Sequence, residues 1–343
     1  MNDVSFYDKL APLFDRTQRR GQENSKEVVL RVNCSGLGDT LCCTPTLRKL
    51  AKAYAKKIIV CSFHYDVFKH NPFVKNHISH DELAEDNQQY EIFDTYKFLR
   101  KNEKNDIWNT ARFDLRRIHA SEIGLDLLPE EMQCDYYPGP VEFDKEDLQF
   151  IKNNKYIAIH VAKTWPSRTW PKEEYKKLIK GLNEVGHPVV LIGLDLPPEP
   201  GTYKTDKTCY DTRDWDFEGL NFINKNSLDE SYCIIKNSEA FITLDSGALH
   251  LAGCTDTHII NIGSSINPRF RIPYRHSSQD YKVTFVAGSC DLFCASDPKY
   301  SVVEHGSLSS VPPVPFCLEE KPTFECQPNA EKVINATLET LGT

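Results

Sequence analysis

The sequence predicts an α/β protein with two Rossmann-like βαβ domains that face each other across a cleft. Its 343 residues are too many for one small core. Short apolar segments alternate with segments of helical periodicity, which is typical of parallel sheets covered by helices on both faces. The alternation stops at the proline-containing stretch CDYYPGPVEFDKED and then begins afresh. We therefore expect a first domain at 1–145, a second at 146–328 and a closing helix at 329–343.

Apolar runs rich in β-branched residues mark the strands, and apolar residues three and four apart mark the helices. In the first domain we expect strands at 27–33 (EVVLRVN) and 57–61 (KIIVC) and a helix at 108–124. The expected strands of the second domain are 156–161, 188–192, 241–244 and 258–262. Its expected helices are 172–185, 228–237 and one that begins at Ser246. The segment 287–328 is irregular and rich in Pro, Ser and Cys.

Composition and charge limit the classes of function. The formal net charge of −8 argues against a general nucleic-acid-binding protein, because such proteins neutralise phosphates with clustered Lys and Arg. The N-terminal stretch lacks the apolar region of a secretory signal, and no window approaches the roughly eighteen apolar residues of a transmembrane helix. We therefore expect a cytoplasmic protein without a transmembrane segment, for which peripheral membrane contact stays open. Its twelve cysteines are then expected to be reduced thiols or metal ligands.

The loop after the first strand, NCSGLGDTLCCTPTLRKL at 33–50, is the first candidate site. It is not a dinucleotide fingerprint, because position 41 is Leu rather than Gly, and it lacks the Gly-Lys-Ser/Thr of a P-loop. The residues of the predicted turn are Gly36, Gly38, Asp39 and Thr40. The glycines let backbone approach a ligand, and Asp39 lies where a helix begins; a simple capping role for Asp39 is the alternative. Thr44 and Pro45 predict that a helix begins or kinks there.

The loop HVAKTWPSRTWPKEEY at 160–175 is the second candidate site. It supplies hydrogen-bond donors of the kind that bind a diphosphate. These donors are Lys163, Thr164, Ser167 and Arg168. The alternative is that the two cations belong to an ordinary solvated surface.

The loop ITLDSGALHLAG at 242–253 is the third candidate site. A strand ends, an acid follows, and a small glycine-containing turn leads into a helix whose N-terminus favours phosphate. The residues concerned are Asp245, Ser246, Gly247 and His250. The alternative is a capped core helix with a hydrogen-bonded histidine.

Together these loops resemble glycosyltransferase family 9, the heptosyltransferase family. The family's GD turn with its proline-containing helix is similar to GLGDTLCCTPTLRKL, and its NP element is similar to HNPFVKNHI. Its basic residue before W-P resembles SRTWPKEEYKKLI, and its D-S/T-G-x-x-H-L-A pattern resembles DSGALHLAG. The strand, glycine and proline loop that come next resemble IINIGSSINPRFRIPY, which contains Gly263. The similarities run from about 30 to 275 in the family's order.

The resemblance implies a GT-B fold, an N-terminal acceptor domain, a C-terminal donor domain and an inverting transfer from a nucleotide-diphosphate sugar, typically ADP-heptose. It implies that Asp39 is the general base, since an aspartate with a pKa of about 3.9 is ionised at pH 7 and accepts a hydroxyl proton. The implied donor-binding residues are Lys163, Thr164, Ser167, Arg168, Asp245, Ser246, Gly247, His250 and Gly263. Arg168 departs from the family, which often has Lys there. The implied chemistry needs no metal or other cofactor, and the acceptor is a surface glycan or a protein.

Two other interpretations stay open. A catalytically silent nucleotide-sugar-binding protein would keep the same fold, although the intact Asp39 favours an enzyme. The triplet DWD at 214–216 fits the metal-binding D-x-D of another glycosyltransferase class, but such triplets are common by chance and the two-domain context differs.

Cysteines in the irregular segment form the candidate metal site. They are Cys290, Cys294, Cys317 and Cys326. Four thiols could hold a structural zinc or iron that stabilises a loop lacking a core, and the alternative is unligated thiols. The region also resembles the iron-binding cysteine element of autotransporter-directed heptosyltransferases.

Overall fold

The computed structural model describes residues 26–34, 36–85, 87–95, 113–161, 168–194, 219–275, 282–296 and 325–343. Contacts divide the chain into two compact units. The units are Met1–Tyr137 with Tyr274–His276, and Pro138–Pro273 with Ser277–Thr343. The three-part division at 145 and 328 stays a prediction.

The described strands of the first unit form one parallel sheet. In chain order they are β1 (Glu27–Val32), β2 (Ile58–Ser62), β3 (Val74–Ile78) and β4 (Tyr90–Thr95), and they lie side by side as β3-β2-β1-β4. The described α-helices are α1 (Leu37–Cys42), α2 (Thr44–Tyr54), α3 (His80–Glu85) and α4 (Leu115–Glu122). Because the strands are parallel, their C-terminal ends share one edge, which we call the carboxyl edge.

The described strands of the second unit form a larger parallel sheet. They are β5 (Ile157–Val161), β6 (Val189–Gly193), β7 (Gly219–Asn221), β8 (Ala240–Thr243), β9 (His258–Ile262) and β10 (Val283–Val286), in the spatial order β10-β9-β8-β5-β6-β7. The described α-helices are α5 (Lys145–Asn153), α6 (Lys172–Glu184), α7 (Leu228–Asn237), α8 (Gly247–Ala252) and α9 (Ala330–Leu341). Inward residues of β5, β6, β8 and β9 pack with α6 and α9 around the buried Trp170 and Tyr175. The closing helix therefore belongs to the core of the second unit.

The predicted strands and helices that lie within the described residues are confirmed to within a few residues at most ends. The helix expected at 108–124 is described only from Leu115 to Glu122, and 108–112 lie outside the described residues. Four described strands were not predicted, namely β3, β4, β7 and β10. Each is at an edge of its sheet and is only partly buried, so it lacks the apolar run that marks an interior strand.

Pro45 separates two helices, as the sequence predicts. α1 ends at Cys42, and α2 begins at Thr44 with the proline in its first turn. A proline lacks a backbone N–H, so it fits the first turn, where that donor has no helical partner. α1 is therefore a short independent helix directly after β1.

Tyr274 contacts a buried ion pair of the first unit. Arg116 is 1% exposed, and its Nε donates to Oδ1 of Asp114 at 2.7 Å. Its guanidinium lies 4.6 Å from the centre of the Tyr274 ring, a cation–π distance.

None of the described helices has the length and apolarity that crossing a membrane requires.

Candidate functional site

Asp39 lies in the first turn of α1, at the carboxyl edge of the first sheet. Gly36 is the N-cap, so Asp39 is the third helical residue. Oδ2 of Asp39 overlaps the position that a Cβ atom on Gly36 would take. The glycine is therefore needed for the carboxylate to fold back over the turn. The third helical position also favours a carboxylate electrostatically, so the geometry accommodates both a capping and a chemical role.

Thr40 and Cys34 shape the turn beneath Asp39. Thr40 is fully buried, and its Oγ1 donates to the carbonyl oxygen of Gly36 at 3.0 Å. The Cys34 sulfur lies 3.7 Å from that hydroxyl. Burial, and next the charge of Asp39, raise the pKa of the Cys34 thiol to about 12. Cys34 is therefore a neutral thiol at pH 7, and Thr40 contributes to the turn through packing and this hydrogen bond.

His119 lies on a helix that packs against α1, and the sequence analysis did not predict a role for this residue. The residue lies on α4, which packs against α1, and it is fully buried. Burial lowers the pKa of His119 to about 4, although the nearby backbone of Asp39 and the charge of Asp114 act in the opposite direction. His119 is therefore neutral at pH 7, and it lies near the backbone of the residue expected to be the base.

Two aromatic side chains next to α1 are exposed, and sequence reasoning missed them as well. Phe63 follows β2 and is 58% exposed; its ring stacks on His80 with centroids 4.3 Å apart. Tyr65 is 42% exposed and stacks on His77 at 4.5 Å. We call these four side chains the aromatic surface. The Tyr65–Val67 turn contacts α1, so this surface adjoins the helix that carries Asp39.

In the second unit, two guanidinium groups meet one carboxylate at the carboxyl edge. Nη2 and Nε of Arg168 donate to the backbone oxygen of Asp245 at 2.6 and 3.1 Å. The Nε atoms of Arg168 and Arg271 each lie 3.5 Å from Oδ2 of Asp245. Burial raises the pKa of Asp245, but Arg168 and Arg271 outweigh it and hold this pKa below its ordinary value. Two cations face one anion, so this arginine cluster has a surplus positive charge among the described residues.

A histidine on β5 binds the turn that precedes α8. Nδ1 of His160 lies 3.2 Å from Oγ1 of Thr243 and 3.2 Å from Oγ of Ser246. Ser246 is the N-cap of α8, yet its hydroxyl makes no capping bond to the helix. The hydroxyl instead lies within hydrogen-bond distance of His160 on β5 and Thr243 on β8. His160 and Arg271 carried no sequence signal beyond a histidine within a strand and an arginine in a proline loop.

The other predicted donor-binding residues divide into three groups. Lys163, Thr164 and Ser167 lie outside the described residues, as do the aspartates of the DWD triplet. His250 is buried on α8, and its charge contributes to the lowered pKa of Asp245. A Cβ on Gly263 would lie 2.8 Å from the Val286 oxygen and 3.0 Å from the Cys326 oxygen. Close packing thus explains this glycine, and its role in donor binding stays a prediction.

The cysteine segment is only partly described. Cys317 lies outside the described residues. Cys290 donates its backbone N–H to Glu325, and Gly288 donates to Cys326, so the backbones near two of the cysteines run side by side. The described residues contain no group of three or more His, Cys, Asp or Glu that could hold a metal ion. The three described cysteines therefore do not form a metal site by themselves.

The sequence profile described as glycosyltransferase family 9 (heptosyltransferase) matches residues 107–290. Lipopolysaccharide heptosyltransferase 2 of Escherichia coli is 26% identical over 118 residues, 34% of this chain and 33% of that protein. Lipooligosaccharide heptosyltransferase 2 of Haemophilus influenzae is 27% identical over 112 residues, 33% of this chain and 32% of that protein. The matched region thus spans about a third of these relatives.

Solved structures show the same fold at low sequence identity. The iron-containing dodecameric glycosyltransferase TibC of enterotoxigenic E. coli superposes with a TM-score of 0.64 at 16% identity, over 92% of this chain and 76% of that one. TibC in complex with ADP-D-beta-D-heptose gives 0.62 at 15% identity, over 94% and 81% of the chains. A family 9 glycosyltransferase from Veillonella parvula gives 0.59 at 15% identity, over 94% and 99%. These likenesses confirm the predicted α/β class of GT-B type. Because the family profile covers more than half of the sequence, the chain belongs to glycosyltransferase family 9, the heptosyltransferase family.

Proposed function

We propose that the protein is an inverting glycosyltransferase that moves a sugar from a nucleotide-diphosphate donor to an acceptor hydroxyl. A heptose is the proposed sugar and ADP-heptose the proposed donor. The observation that supports this best is the arginine cluster of Arg168, Asp245 and Arg271 at the carboxyl edge of the second sheet. Ligands of open parallel sheets bind at that edge, and TibC, a protein of the same fold, has been solved with ADP-D-beta-D-heptose.

The arginine cluster suits the diphosphate of the donor. Breaking the bond between the anomeric carbon and the diphosphate leaves negative charge on the departing nucleotide. Guanidinium groups bind phosphate oxygens through paired N–H donors, and a pre-positioned cation stabilises charge that develops in the transition state. Asp245 holds Arg168 and Arg271 in place before the donor arrives. Neither guanidinium then has to be ordered at the moment of reaction.

Asp39 is the proposed general base. Its carboxylate takes the proton of the acceptor hydroxyl while that oxygen forms the bond to the anomeric carbon. The nucleotide diphosphate leaves from the opposite face, so the anomeric configuration inverts. The position of the carboxylate over Gly36 supports this role, because the absence of a side chain at that residue leaves room for the carboxylate over the turn. The proposed chemistry needs no metal, and a structural zinc or iron at the cysteines stays a separate proposal.

The acceptor is proposed to approach α1 over the aromatic surface. Exposed aromatic rings next to a candidate catalytic residue are typical of ligand-contacting surfaces. The acceptor is a glycan or a protein hydroxyl; the names of the curated relatives favour lipopolysaccharide or lipooligosaccharide. We also propose a cytoplasmic location and no nucleic-acid partner. Peripheral contact with a membrane is compatible with this proposal.

A thermal-shift panel tests the proposal. The protein is melted with ADP, ADP-heptose, UDP-glucose, GDP-mannose and dTDP-glucose, and transfer is then measured with the ligands that bind. We expect ADP and ADP-heptose to raise the Tm, since a ligand at a hundred times its Kd adds about 2.7 kcal/mol of stability. No shift with any nucleotide sugar would contradict the proposal. Binding without transfer to any glycan or protein acceptor would favour the catalytically silent alternative.

A further inference from the structure

We propose that His160 is a positioning residue of the donor site, which acts through Ser246 to hold the Asp245 turn that orients Arg168. The inference rests on the proposed function, since it assumes that the arginine cluster binds the donor. It assigns a role to a strand residue at the start of the second candidate loop, which was not among the predicted donor-binding residues. His160 itself is not expected to touch the reacting atoms.

The contacts form a continuous chain from β5 to the arginine cluster. Nδ1 of His160, Oγ1 of Thr243 and Oγ of Ser246 form a triangle with sides of 3.2, 3.2 and 3.3 Å. Ser246 follows directly after Asp245, whose carbonyl oxygen accepts two hydrogen bonds from Arg168. A shift of Ser246 therefore moves the acceptor that holds the guanidinium.

A buried tyrosine holds the backbone of His160, and a glycine leaves room for its ring. Tyr175, fully buried under the sheet, donates its hydroxyl to the backbone oxygen of His160 at 3.2 Å. Gly193, at the end of the neighbouring strand β6, has no side chain, and a Cβ there would lie 3.3 Å from Cδ2 of the imidazole. The hydrogen bond thus fixes the backbone of His160, and the glycine leaves room for its ring.

The protonation state of His160 matches the hydroxyl groups around it. Burial lowers the pKa of His160 to about 4, so the ring is neutral at pH 7. A neutral imidazole has one donor and one acceptor nitrogen, and Nδ1 as acceptor can bind the hydroxyl proton of Ser246. Thr243 meanwhile donates to the carbonyl oxygen of Leu244 at 3.1 Å. The Ser246 hydroxyl is thus engaged by its strand neighbours and not by the N–H groups of α8.

The test compares His160→Leu with His160→Asn, because the asparagine amide places a polar group close to where Nδ1 lies. The dissociation constant of ADP-heptose is measured by calorimetry, and kcat is measured where the acceptor is known. We expect the leucine variant to bind the donor at least about tenfold more weakly and the asparagine variant to stay within about threefold of wild type. A general loss of stability would instead weaken donor binding in both variants to a similar extent.

A double-mutant cycle with Ser246→Ala tests the route. If His160 acts through Ser246, His160→Leu weakens donor binding no further once the hydroxyl is gone. His258→Leu is the matched control: it removes a strand histidine bonded to Thr284 at 2.9 Å, at the opposite end of the strands, and it should leave donor affinity unchanged.

The outcomes separate this inference from the proposed function. If wild type binds no nucleotide sugar, both are wrong. If wild type binds and His160→Leu binds equally well, or if its effect adds fully to that of Ser246→Ala, only the inference is wrong. Should the leucine variant not fold, Thr243→Val removes one corner of the triangle, and unchanged donor affinity in that variant and in Ser246→Ala overturns the inference.

Discussion

The carboxylate of Asp39 occupies the space that a side chain on Gly36 would need. The backbone does not need a glycine at this position, because Gly36 has ordinary extended dihedral angles, φ −86° and ψ 130°. The glycine is needed because the Asp39 carboxylate takes up the space of a side chain. A methyl group at position 36 would therefore leave the turn intact and displace the carboxylate.

Gly36→Ala is expected to lower kcat by tenfold or more while donor affinity stays within about twofold of wild type. Alanine is a poorer N-cap than glycine, at a cost of about 1 kcal/mol, but it can adopt the extended dihedral angles of Gly36, so the fold should survive. Transfer kinetics and donor calorimetry check this. Gly181→Ala is the matched control, since its Cβ would meet only the end of the Ile334 side chain, in the second unit. Equal turnover in the two variants would mean that transfer does not depend on where the Asp39 carboxylate lies over the turn, and it would contradict this prediction.

Arg271→Met is expected to weaken ADP-heptose binding by about tenfold or more. It removes one of the two cations that face Asp245, and a hydrogen bond to a charged group contributes about 1.5–3 kcal/mol. Calorimetric titration of the donor measures the change. Arg269→Met is the control, because Arg269 is exposed and its guanidinium lies over the Phe270 ring at 4.3 Å. Similar losses in both variants would point to general surface charge instead of the cluster.

His119 is expected to make stability fall as the pH drops from about 6.5 towards 4. The folded state holds the pKa of His119 near 4, against an ordinary value of 6.5, so the unfolded chain binds the proton first. Stability is highest above that window, and the full shift corresponds to about 3 kcal/mol at 1.36 kcal/mol per pKa unit. Urea unfolding at pH 7 and pH 5 should show a smaller loss for His119→Gln than for wild type. The exposed His70→Gln serves as control, and an identical pH dependence in His119→Gln would contradict the account.

Phe63→Ala and Tyr65→Ala are expected to raise the KM for the acceptor severalfold, with unchanged donor affinity. The two rings are exposed beside α1, so their loss removes acceptor contacts without opening the core. Leu128→Ala removes a side chain that is 50% exposed in the same unit and should leave both constants unaltered. Wild-type acceptor kinetics in both aromatic variants would place the acceptor elsewhere.

Much of the fold could be predicted because interior strands such as β2 (IIVCS) and β6 (VVLIG) are almost entirely apolar runs. The edge strands could not, since partly buried residues leave no such pattern. Asp39 and Asp245 were predicted to be site residues because each lies in the segment that follows a strand, where parallel sheets bind ligands. The partners of these residues were missed for a physical reason. Arg271 meets Asp245, and His160 meets Ser246, only through the ordering of strands in the sheet, which local spacing does not encode.

The most direct test of the account is Asp39→Asn, which keeps the shape of the side chain and removes its basicity. ADP-heptose binding and heptose transfer are measured on the same preparation. We predict a loss of kcat of at least about a hundredfold, in line with general base catalysis, and a donor Kd within about twofold of wild type. Turnover at the wild-type rate would contradict the assignment of Asp39 as the base.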